Sequence, residues 1–148
     1  MIAVIQRVNW AKVIVGAKIV GQIKQGYLVY LGIMSEDTEV DLKKIINKLV
    51  NIRIMSDAEG KMNKDIVEVQ GEILLIPQFT LCADVNKGRR PSFFKAKRPQ
   101  KAKEMFKKAV KMLAGKGIRI EKGVFGAYMQ VESENDGPVT FIVDSTKI

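Results

Sequence analysis

The chain has 148 residues, of which 47% are hydrophobic and 28% charged, so we expect a domain with a buried core rather than a disordered chain. The 25 Lys and Arg residues exceed the 16 Asp and Glu residues by 9, which suits an anionic partner such as RNA, DNA or phosphate as well as it suits simple solubility. With no histidine and a single cysteine, Cys82, the chain cannot use Ser-His-Asp or Cys-His catalysis, form an intrachain disulfide or build a common zinc site, and we expect no metal.

The chain begins with sequence rich in Ile and Val. From Ile2 to Val15, and past Gly16 to Ile19, this pattern predicts short strands joined tightly. No export signal is visible before them, and the longest apolar runs, such as Tyr27 to Ile33, are too short to cross a bilayer. That run instead predicts an inner strand buried on both faces of a sheet. We therefore expect a cytoplasmic protein.

A helix and two strands are predicted next. Thr38 and Asp41 have the spacing of a capping box, and the apolar residues from Leu42 to Val50 recur at i, i+3, i+4, i+7 and i+8. This spacing predicts an amphipathic helix. Short strands are predicted at Ile52 to Met55 and at Glu72 to Ile76, with a DAEG turn after the first.

The second half of the chain starts with an irregular stretch. Pro77 to Pro99 mixes prolines, aromatic residues and cations without a steady period, which predicts a loop. Helical spacing from Ala102 to Leu113, with lysines on the opposite side, predicts a helix with a basic outer face that Gly115 ends. Two strands, Ala127 to Val131 and Val139 to Val143, are predicted to follow, joined by a SENDGP turn. The order of elements indicates the α/β or α+β class.

The pair Gly137 and Pro138 admits two interpretations. Proline cannot donate a ladder hydrogen bond, so an ordinary turn into the last strand is the simpler one. The other is a cis Gly-Pro bond, which a turn permits and which would point backbone carbonyls in an unusual direction. The residues alone leave both open.

A second candidate for chemistry is the sequence PQFTL, where a predicted strand ends. Gln78 and Thr80 could direct polar groups into a cleft there. A threonine hydroxyl with no histidine to activate it is a weak nucleophile. Backbone N–H groups, in contrast, can hold a carbonyl oxygen as it becomes negative. We therefore favour main-chain donors in this segment over Thr80 as a nucleophile.

The third candidate is a cluster of six cations within twelve residues, interleaved with two phenylalanines. Cations contact phosphates and aromatic faces stack on bases, so the cluster suits single-stranded nucleic acid, and a solvated basic loop is the alternative. The cations are Lys87, Arg89, Arg90, Lys95, Lys97 and Arg98, and the aromatic residues are Phe93 and Phe94.

Six separated motifs together resemble one family. In chain order they are MIAVIQRV, GKMN, PQFTL, GRRPSF, GVFGAYMQV and NDGPVT, and they closely resemble the D-aminoacyl-tRNA deacylases over essentially the whole chain. The resemblance implies one α/β domain, residues 1–148, with barrel-like, layered mixed sheets flanked by two main helices. It further implies a cytoplasmic homodimer without a cofactor, with tRNA and neither DNA nor membrane as its partner. The implied activity is hydrolysis of the ester between a D-amino acid and the 3′-terminal adenosine of tRNA.

The resemblance also implies roles for particular residues. Main-chain groups of the catalytic segment, together with the 2′-hydroxyl of the tRNA, would act on the ester. A cis Gly-Pro bond would reach into the partner subunit's pocket and reject L-amino acids, whereas glycine would pass, so clearance of glycyl-tRNA(Ala) is also expected. The catalytic segment is Gln78, Phe79 and Thr80; chiral selection falls to Gly137 and Pro138, braced by Arg7; the substrate pocket comprises Phe125, Gly126, Ala127 and Met129; and tRNA binding falls to Lys87, Arg89, Arg90 and Lys95.

One residue departs from the family pattern. The family usually has serine where this chain has Pro77, so a hydroxyl and an N–H are both missing. A backbone mechanism that begins at Gln78 predicts little loss. Two other functions stay open on the residues alone: a basic tRNA-binding module without catalysis, and a hydrolase of small D-amino acid esters, for which the net charge of +9 has no evident use.

Overall fold

The computed structural model describes residues 1–86 and 88–148. Within them the chain forms eight strands, two α-helices and a 3₁₀ helix. In chain order these are β1 Ile2–Val15, β2 Lys18–Ile23, β3 Gly26–Gly32, α1 Glu39–Asn51, β4 Met55–Ser56, β5 Met62–Lys64, β6 Glu72–Pro77, the 3₁₀ helix Phe79–Cys82, α2 Pro99–Ala114, β7 Arg119–Lys122 and β8 Gln130–Asp144. In this described part of the chain, neither helix is both long and apolar enough to cross a membrane.

Six strands form one mixed sheet. The long strand β1 pairs with β8 on one side, and on the other side it pairs with β3 through its first half and with β2 through its second half. Strands β3, β6 and β7 continue the sheet in parallel. Gly21 of β2 lies so close to Leu74 and the Lys122 carbonyl that an added Cβ would be 3.0–3.2 Å from them. The sheet therefore curls back on itself into a nearly closed, barrel-like shape, and the mixed α/β fold is confirmed.

Two clusters of buried side chains fill the molecule. The larger lies between the sheet and the two helices, where Tyr27, Val29 and Leu31 of β3 meet the apolar faces of α1 and α2. The smaller fills the inside of the curled sheet and includes Leu28 of β3 and Leu74 of β6. Because alternate residues of β3 enter different clusters, the strand is buried on both faces, and the predicted inner strand is confirmed.

The predicted pair of C-terminal strands is wrong. Both halves belong to the single strand β8, which runs antiparallel to β1 along nearly its whole length. The predicted SENDGP turn is an irregularity within this strand, since both halves pair with the same partner in the same direction. Similarly, the predicted short strands at the N-terminus form the single 14-residue β1 before the chain turns into β2. Strands β5 and β7 were not predicted, because they are short and lack apolar alternation.

The capping box of α1 is confirmed, and it predicts how the stability of the fold depends on pH. Asp41 accepts hydrogen bonds from the Thr38 backbone N–H and hydroxyl at 2.9 and 2.8 Å, which holds the pKa of its carboxyl at about 2. A carboxyl whose folded pKa lies below its unfolded value of about 3.9 stabilises the fold above that value and loses this contribution as pH falls through the folded pKa. Because the Asp41 carboxylate is partly exposed and solvent screens its interactions, we expect Asp41→Asn to remove only about 1 kcal/mol of the stability gained between pH 2 and pH 5. Urea unfolding across this range measures it; the matched control Glu104→Gln, at an exposed helix position, should leave the pH slope unchanged.

Candidate active site

The ends of three parallel strands lie beside an open pocket. Strands β3, β6 and β7 are parallel, so their carboxyl ends meet at one edge of the sheet, which is where α/β folds commonly bind ligands. A cavity of about 490 Å³ opens there, closed on its far side by the start of α2. It is lined by Leu31, Ile33, Pro77, Gln78, Phe79, Phe93, Ala96, Lys97, Arg98, Pro99, Ala102, Phe125 and Gly126.

The segment after β6 supplies main-chain polar groups to this pocket. The Gln78 N–H donates to the Leu31 carbonyl at 2.9 Å and so fixes the segment to the end of β3. The chain then turns into the 3₁₀ helix, whose first amides, those of Phe79 and Thr80, donate to no acceptor in the described part of the chain. Two adjacent main-chain donors are thus available to a ligand oxygen.

The Thr80 hydroxyl has little that could activate it. Its Oγ1 accepts a hydrogen bond from the side-chain amide of Gln78, and the residue is exposed. Within the described residues, no carboxylate or amine bonds to this hydroxyl. An amide donor does not remove a proton, so the contact orients the side chain rather than making it a nucleophile.

Aromatic rings form the walls of the pocket. Phe79 and Phe93 pack edge to face with ring centroids 4.9 Å apart, and Phe125 packs against the buried ring of Phe106 on α2 at 6.2 Å. The segment that carries Phe93 is anchored because Asp84 and Ser92 exchange backbone hydrogen bonds of 2.8 and 2.9 Å. The pocket therefore has aromatic walls, with polar groups at the Gln78 segment and at Lys97 and Arg98, and such a mixed lining is common in small-molecule sites.

The Gly137–Pro138 pair lies in a bulge of β8. Gln6 pairs with Thr140 and Val8 with Asn135, so the two-residue step from Gln6 to Val8 on β1 faces a five-residue step on β8. The extra residues loop out of the sheet, and the Gly137–Pro138 peptide bond is cis. The bulge is thus a built feature of the strand and not a chain reversal.

Side chains hold this bulge in place. Asn135 Oδ1 accepts from the Val139 N–H at 2.9 Å, which closes the loop on itself. The buried Arg7 side chain places its Nε 2.9 Å from the Asp136 carboxylate. Its Nη1 donates to the Ile54 carbonyl at 2.9 Å and to the Ser56 hydroxyl at 3.2 Å. Arg7 therefore ties the bulge to the start of β4.

Within one chain the bulge and the pocket are apart. Arg7 pairs with Tyr27 near the start of β3, whereas Leu31, four residues further along β3, lines the pocket. At about 3.3 Å per residue, this spacing separates them by about 13 Å along the strand. Gly137 and Pro138 do not line the described cavity.

The other predicted pocket residues divide into two groups. Phe125 and Gly126 line the cavity, whereas Ala127 and Met129 do not. Met129 instead packs on the smaller core cluster beneath Gly123, where an added Cβ would be 2.8 Å from its sulfur. Met129 thus lies inside the curled sheet, a position that exists only because the sheet closes on itself.

Of the predicted tRNA-binding cations, Arg89, Arg90 and Lys95 lie in the loop between the 3₁₀ helix and α2. Arg89 and Arg90 are exposed. Lys95 forms an ion pair with Asp84 at 3.1 Å, and hydrogen bonds from the Asn86 backbone and from Lys95 lower the pKa of the Asp84 carboxyl. Lys87 lies outside the described residues. Lys97 and Arg98, which belong to the same predicted cluster of cations, line the pocket itself.

Pro77 lies at the end of β6, where its missing N–H costs no sheet hydrogen bond. Along β6 the backbone groups of successive residues point alternately to β3 and to β7. The Gln78 N–H donates to β3, and the Leu75 carbonyl accepts from the Gly123 N–H on the β7 side. The backbone of residue 77 therefore points to the β7 side, like that of Leu75. The paired part of β7 ends at Lys122, opposite Leu75.

We expect Pro77→Ser to change turnover on an aminoacyl ester by less than tenfold, measured as kcat, because the main-chain donors begin after residue 77. A hundredfold gain would instead assign the family's serine a direct part in the chemistry.

The chain belongs to the family described as D-Tyr-tRNA(Tyr) deacylase, a family of hydrolases, whose model matches residues 4–144. Among its relatives, the D-aminoacyl-tRNA deacylase of Fervidobacterium nodosum is 49% identical over 148 residues, covering 100% of this chain and 99% of the relative. The D-aminoacyl-tRNA deacylase of Aquifex aeolicus is 49% identical over 148 residues, with 100% of both chains covered. The resemblance inferred from the six motifs is confirmed.

Two solved structures have the same fold. One, named c-Myc DNA Unwinding Element Binding Protein, superposes with a TM-score of 0.91 at 40% identity and covers 97% of this chain and 98% of its own. The other is described as a probable eukaryotic D-amino acid tRNA deacylase; its TM-score is 0.78 at 20% identity, covering 96% of this chain and 97% of its own. The second likeness extends to the fold alone.

Proposed function

We propose that this protein hydrolyses the ester bond of D-aminoacyl-tRNA and releases a free D-amino acid and tRNA. The observation that carries the proposal is the pocket at the strand ends of this member of the deacylase family. There the adjacent Phe79 and Thr80 amides have no acceptor among residues 1–86 and 88–148. The cavity of about 490 Å³ has room for an aminoacyl group and part of the terminal adenosine. A cytoplasmic location follows from this substrate.

The chemistry proposed for this pocket uses the backbone and the substrate. Water attacks the ester carbonyl carbon, and the carbonyl oxygen becomes negative next to the two main-chain amides. The bond to the ribose oxygen then breaks, and that oxygen leaves with a proton. The chain contains no histidine, so the 2′-hydroxyl of the terminal adenosine is the group proposed to relay the proton. Loss of a single oxyanion donor typically costs 10²–10³-fold in kcat.

Selection for D-amino acids is proposed to need a second subunit. The bulge that carries Gly137 and Pro138 is too far from the pocket of its own chain, but a homodimer can place it at the pocket of the partner. Exposed apolar side chains on the edge strand β8 support such a contact, since Phe141 is 37% and Ile142 74% exposed. Backbone carbonyls of the bulge would then collide with an L side chain. Glycine lacks the side chain, so glycyl-tRNA(Ala) is a second proposed substrate.

Recognition of the tRNA is proposed to involve the loop between the 3₁₀ helix and α2. Arg89 and Arg90 are exposed there, and Phe94 is 93% exposed next to Phe93 of the pocket wall. Lys95 forms an ion pair with Asp84, so its contribution to tRNA binding should be smaller. Cations beside an exposed aromatic ring suit the unpaired 3′ end of a tRNA.

The experiment that tests this function compares D-tyrosyl-tRNA, L-tyrosyl-tRNA and glycyl-tRNA(Ala) as substrates of the purified protein. We expect release from the D-tyrosyl and glycyl esters and much slower release from the L-tyrosyl ester. Tight tRNA binding without release would favour a binding module. Hydrolysis of D-tyrosine ethyl ester at the same rate as of D-tyrosyl-tRNA would favour a small-ester hydrolase. Sedimentation that shows a fully active monomer would overturn the role of the second subunit.

The same assay distinguishes side-chain from main-chain catalysis at residue 80. We expect Thr80→Ala to retain activity on D-tyrosyl-tRNA within about tenfold, because alanine keeps the backbone N–H that would stabilise the oxyanion. Thr80→Ser, which keeps the hydroxyl, is the matched control. If Thr80→Ala lost more than a thousandfold in kcat while Thr80→Ser stayed active, the hydroxyl would be the nucleophile.

A further inference from the structure

We propose that α2 carries a second contact surface for the substrate, a row of three lysines that binds phosphates of the duplex stem next to the tRNA 3′ end. The lysine row is Lys103, Lys107 and Lys111. This inference rests on the proposed function, and it assigns residues outside the pocket to the recognition of a long RNA substrate.

The position of α2 makes such a contact possible. Arg98 is its N-cap, and Pro99 and Ala102 in its first turn line the pocket. From there the helix extends for 16 residues, about 24 Å, away from the pocket. An RNA whose 3′ end lies in the pocket has its duplex stem outside it, within reach of a helix that starts at the pocket wall.

The lysine row lies on one exposed line of α2. Its members are spaced at i, i+4 and i+8, so they follow one another along one side of the helix at about 6 Å per step. All three are exposed, whereas the buried residues of the helix lie on the opposite face. Those buried residues are Ala102, Phe106, Ala109 and Leu113.

The next row of side chains around α2, which contains Glu104 and Lys108, differs from the lysine row because its lysine is paired with an acidic residue. On the side of α1, Lys108 forms an ion pair with Glu39, and Glu39 and, more weakly, Glu104 raise the pKa of the Lys108 ammonium. No ion pair involves a member of the lysine row in the part of the chain that the structure describes. Like charges at i, i+4 destabilise a helix, so a row of lysines without ion pairs serves an external anion better than it serves the fold.

The decisive comparison uses two substrates, D-tyrosyl-tRNA and D-tyrosyl-adenosine, which has no stem. For Lys103→Gln/Lys107→Gln we expect KM for D-tyrosyl-tRNA to rise about tenfold at low salt, with kcat unchanged and D-tyrosyl-adenosine hydrolysis unaffected. The salt slope of log KM should fall by about 2, since each lost phosphate contact removes about 0.9. Lys103→Arg/Lys107→Arg should keep the wild-type KM and slope.

Lys18→Gln/Lys24→Gln is the matched control, because these lysines are also exposed but lie on β2 and directly after it. It removes the same charge and should leave KM for D-tyrosyl-tRNA within twofold. Equal effects of the α2 variant on both substrates, or no effect on either, would overturn the inference. Measuring the binding of uncharged tRNA keeps the test independent of catalysis, even if neither ester is cleaved. Loss of salt-dependent affinity for this tRNA in the α2 variant alone would support the lysine row, and unchanged affinity would overturn it.

Discussion

Replacing Gly137 with alanine is expected to lower the ratio of kcat/KM for D-tyrosyl-tRNA over L-tyrosyl-tRNA by about 100-fold. Gly137 has a φ of +132°, which L residues rarely adopt. An added Cβ would be 2.5 Å from Cγ2 of Val139 and 2.9 Å from its backbone nitrogen, so the bulge has to move. A shift of about 1 Å in a positioned group typically costs about 10²-fold. Parallel single-turnover assays on the two esters measure the ratio.

Gly16→Ala is the control for this substitution. Gly16 also has a positive φ, +60°, but nothing lies within 4 Å of the position that its Cβ would take. We expect it to lower the free energy of unfolding by about 1 kcal/mol and to leave the D/L ratio unchanged. A D/L ratio that stayed intact in Gly137→Ala would contradict the proposed role of the bulge.

Mixed dimers make the cross-subunit part of this prediction specific. Ala96 lines the pocket, so Ala96→Trp should fill it and inactivate the pocket of its own chain. In the proposed homodimer, mixing Ala96→Trp chains with Gly137→Ala chains would place one intact pocket against one intact bulge. We expect D-selective activity to return in the mixture. No recovery, with exchange of subunits verified, would mean that each chain uses its own bulge.

The elements predicted well are those with strong local signals. Helix α1 carries its start in the Thr38–Asp41 capping box and its buried face in the spacing from Leu42 to Val50. The inner strand β3 is continuously apolar because both of its faces are buried. In both cases the residues that decide the structure are neighbours in sequence.

The errors fall where a distant partner decides the structure. Asn135 to Pro138 has the composition of a turn, and only its pairing with β1 makes it a bulge within β8. Strand β7, with the sequence RIEK, exists because β6 offers it an edge to pair with. No local pattern encodes either of these long-range pairings.

The candidate site shows the same division. Gln78 and Thr80 were singled out because polar residues at a strand end are recognisable in sequence, and Phe79 joined them only through the resemblance to the family. The opposite wall of the pocket, with Arg98 and Ala102, was not predicted, because it depends on α2 packing with its first turn at the ends of β3 and β6. The parallel order of β3 and β6 is the signal that would have located this wall, but a sequence does not state which strands are parallel.

Replacing Arg7 with methionine is expected to affect both stability and chiral selection. Methionine fills the buried site but leaves the Ile54 carbonyl and the Asp136 carboxylate without their donor. Because the Asp136 side chain is 37% exposed, the cost should be below that of a fully buried pair, at about 2–3 kcal/mol, or about 5–10 °C in Tm. The bulge also loses its brace, so the D/L ratio should fall by at least tenfold.

Two further variants separate these effects. Arg7→Lys should recover part of the stability but little of the selectivity for D over L substrates. One ammonium cannot replace the planar guanidinium group that contacts Ile54, Ser56 and Asp136 together. Arg53→Met removes a nearby exposed arginine and should change neither Tm nor the D/L ratio. If Arg7→Met lowered Tm but kept the D/L ratio of the wild type, Arg7 would act only on the stability of the fold, and the bulge would hold its position through Asn135 alone.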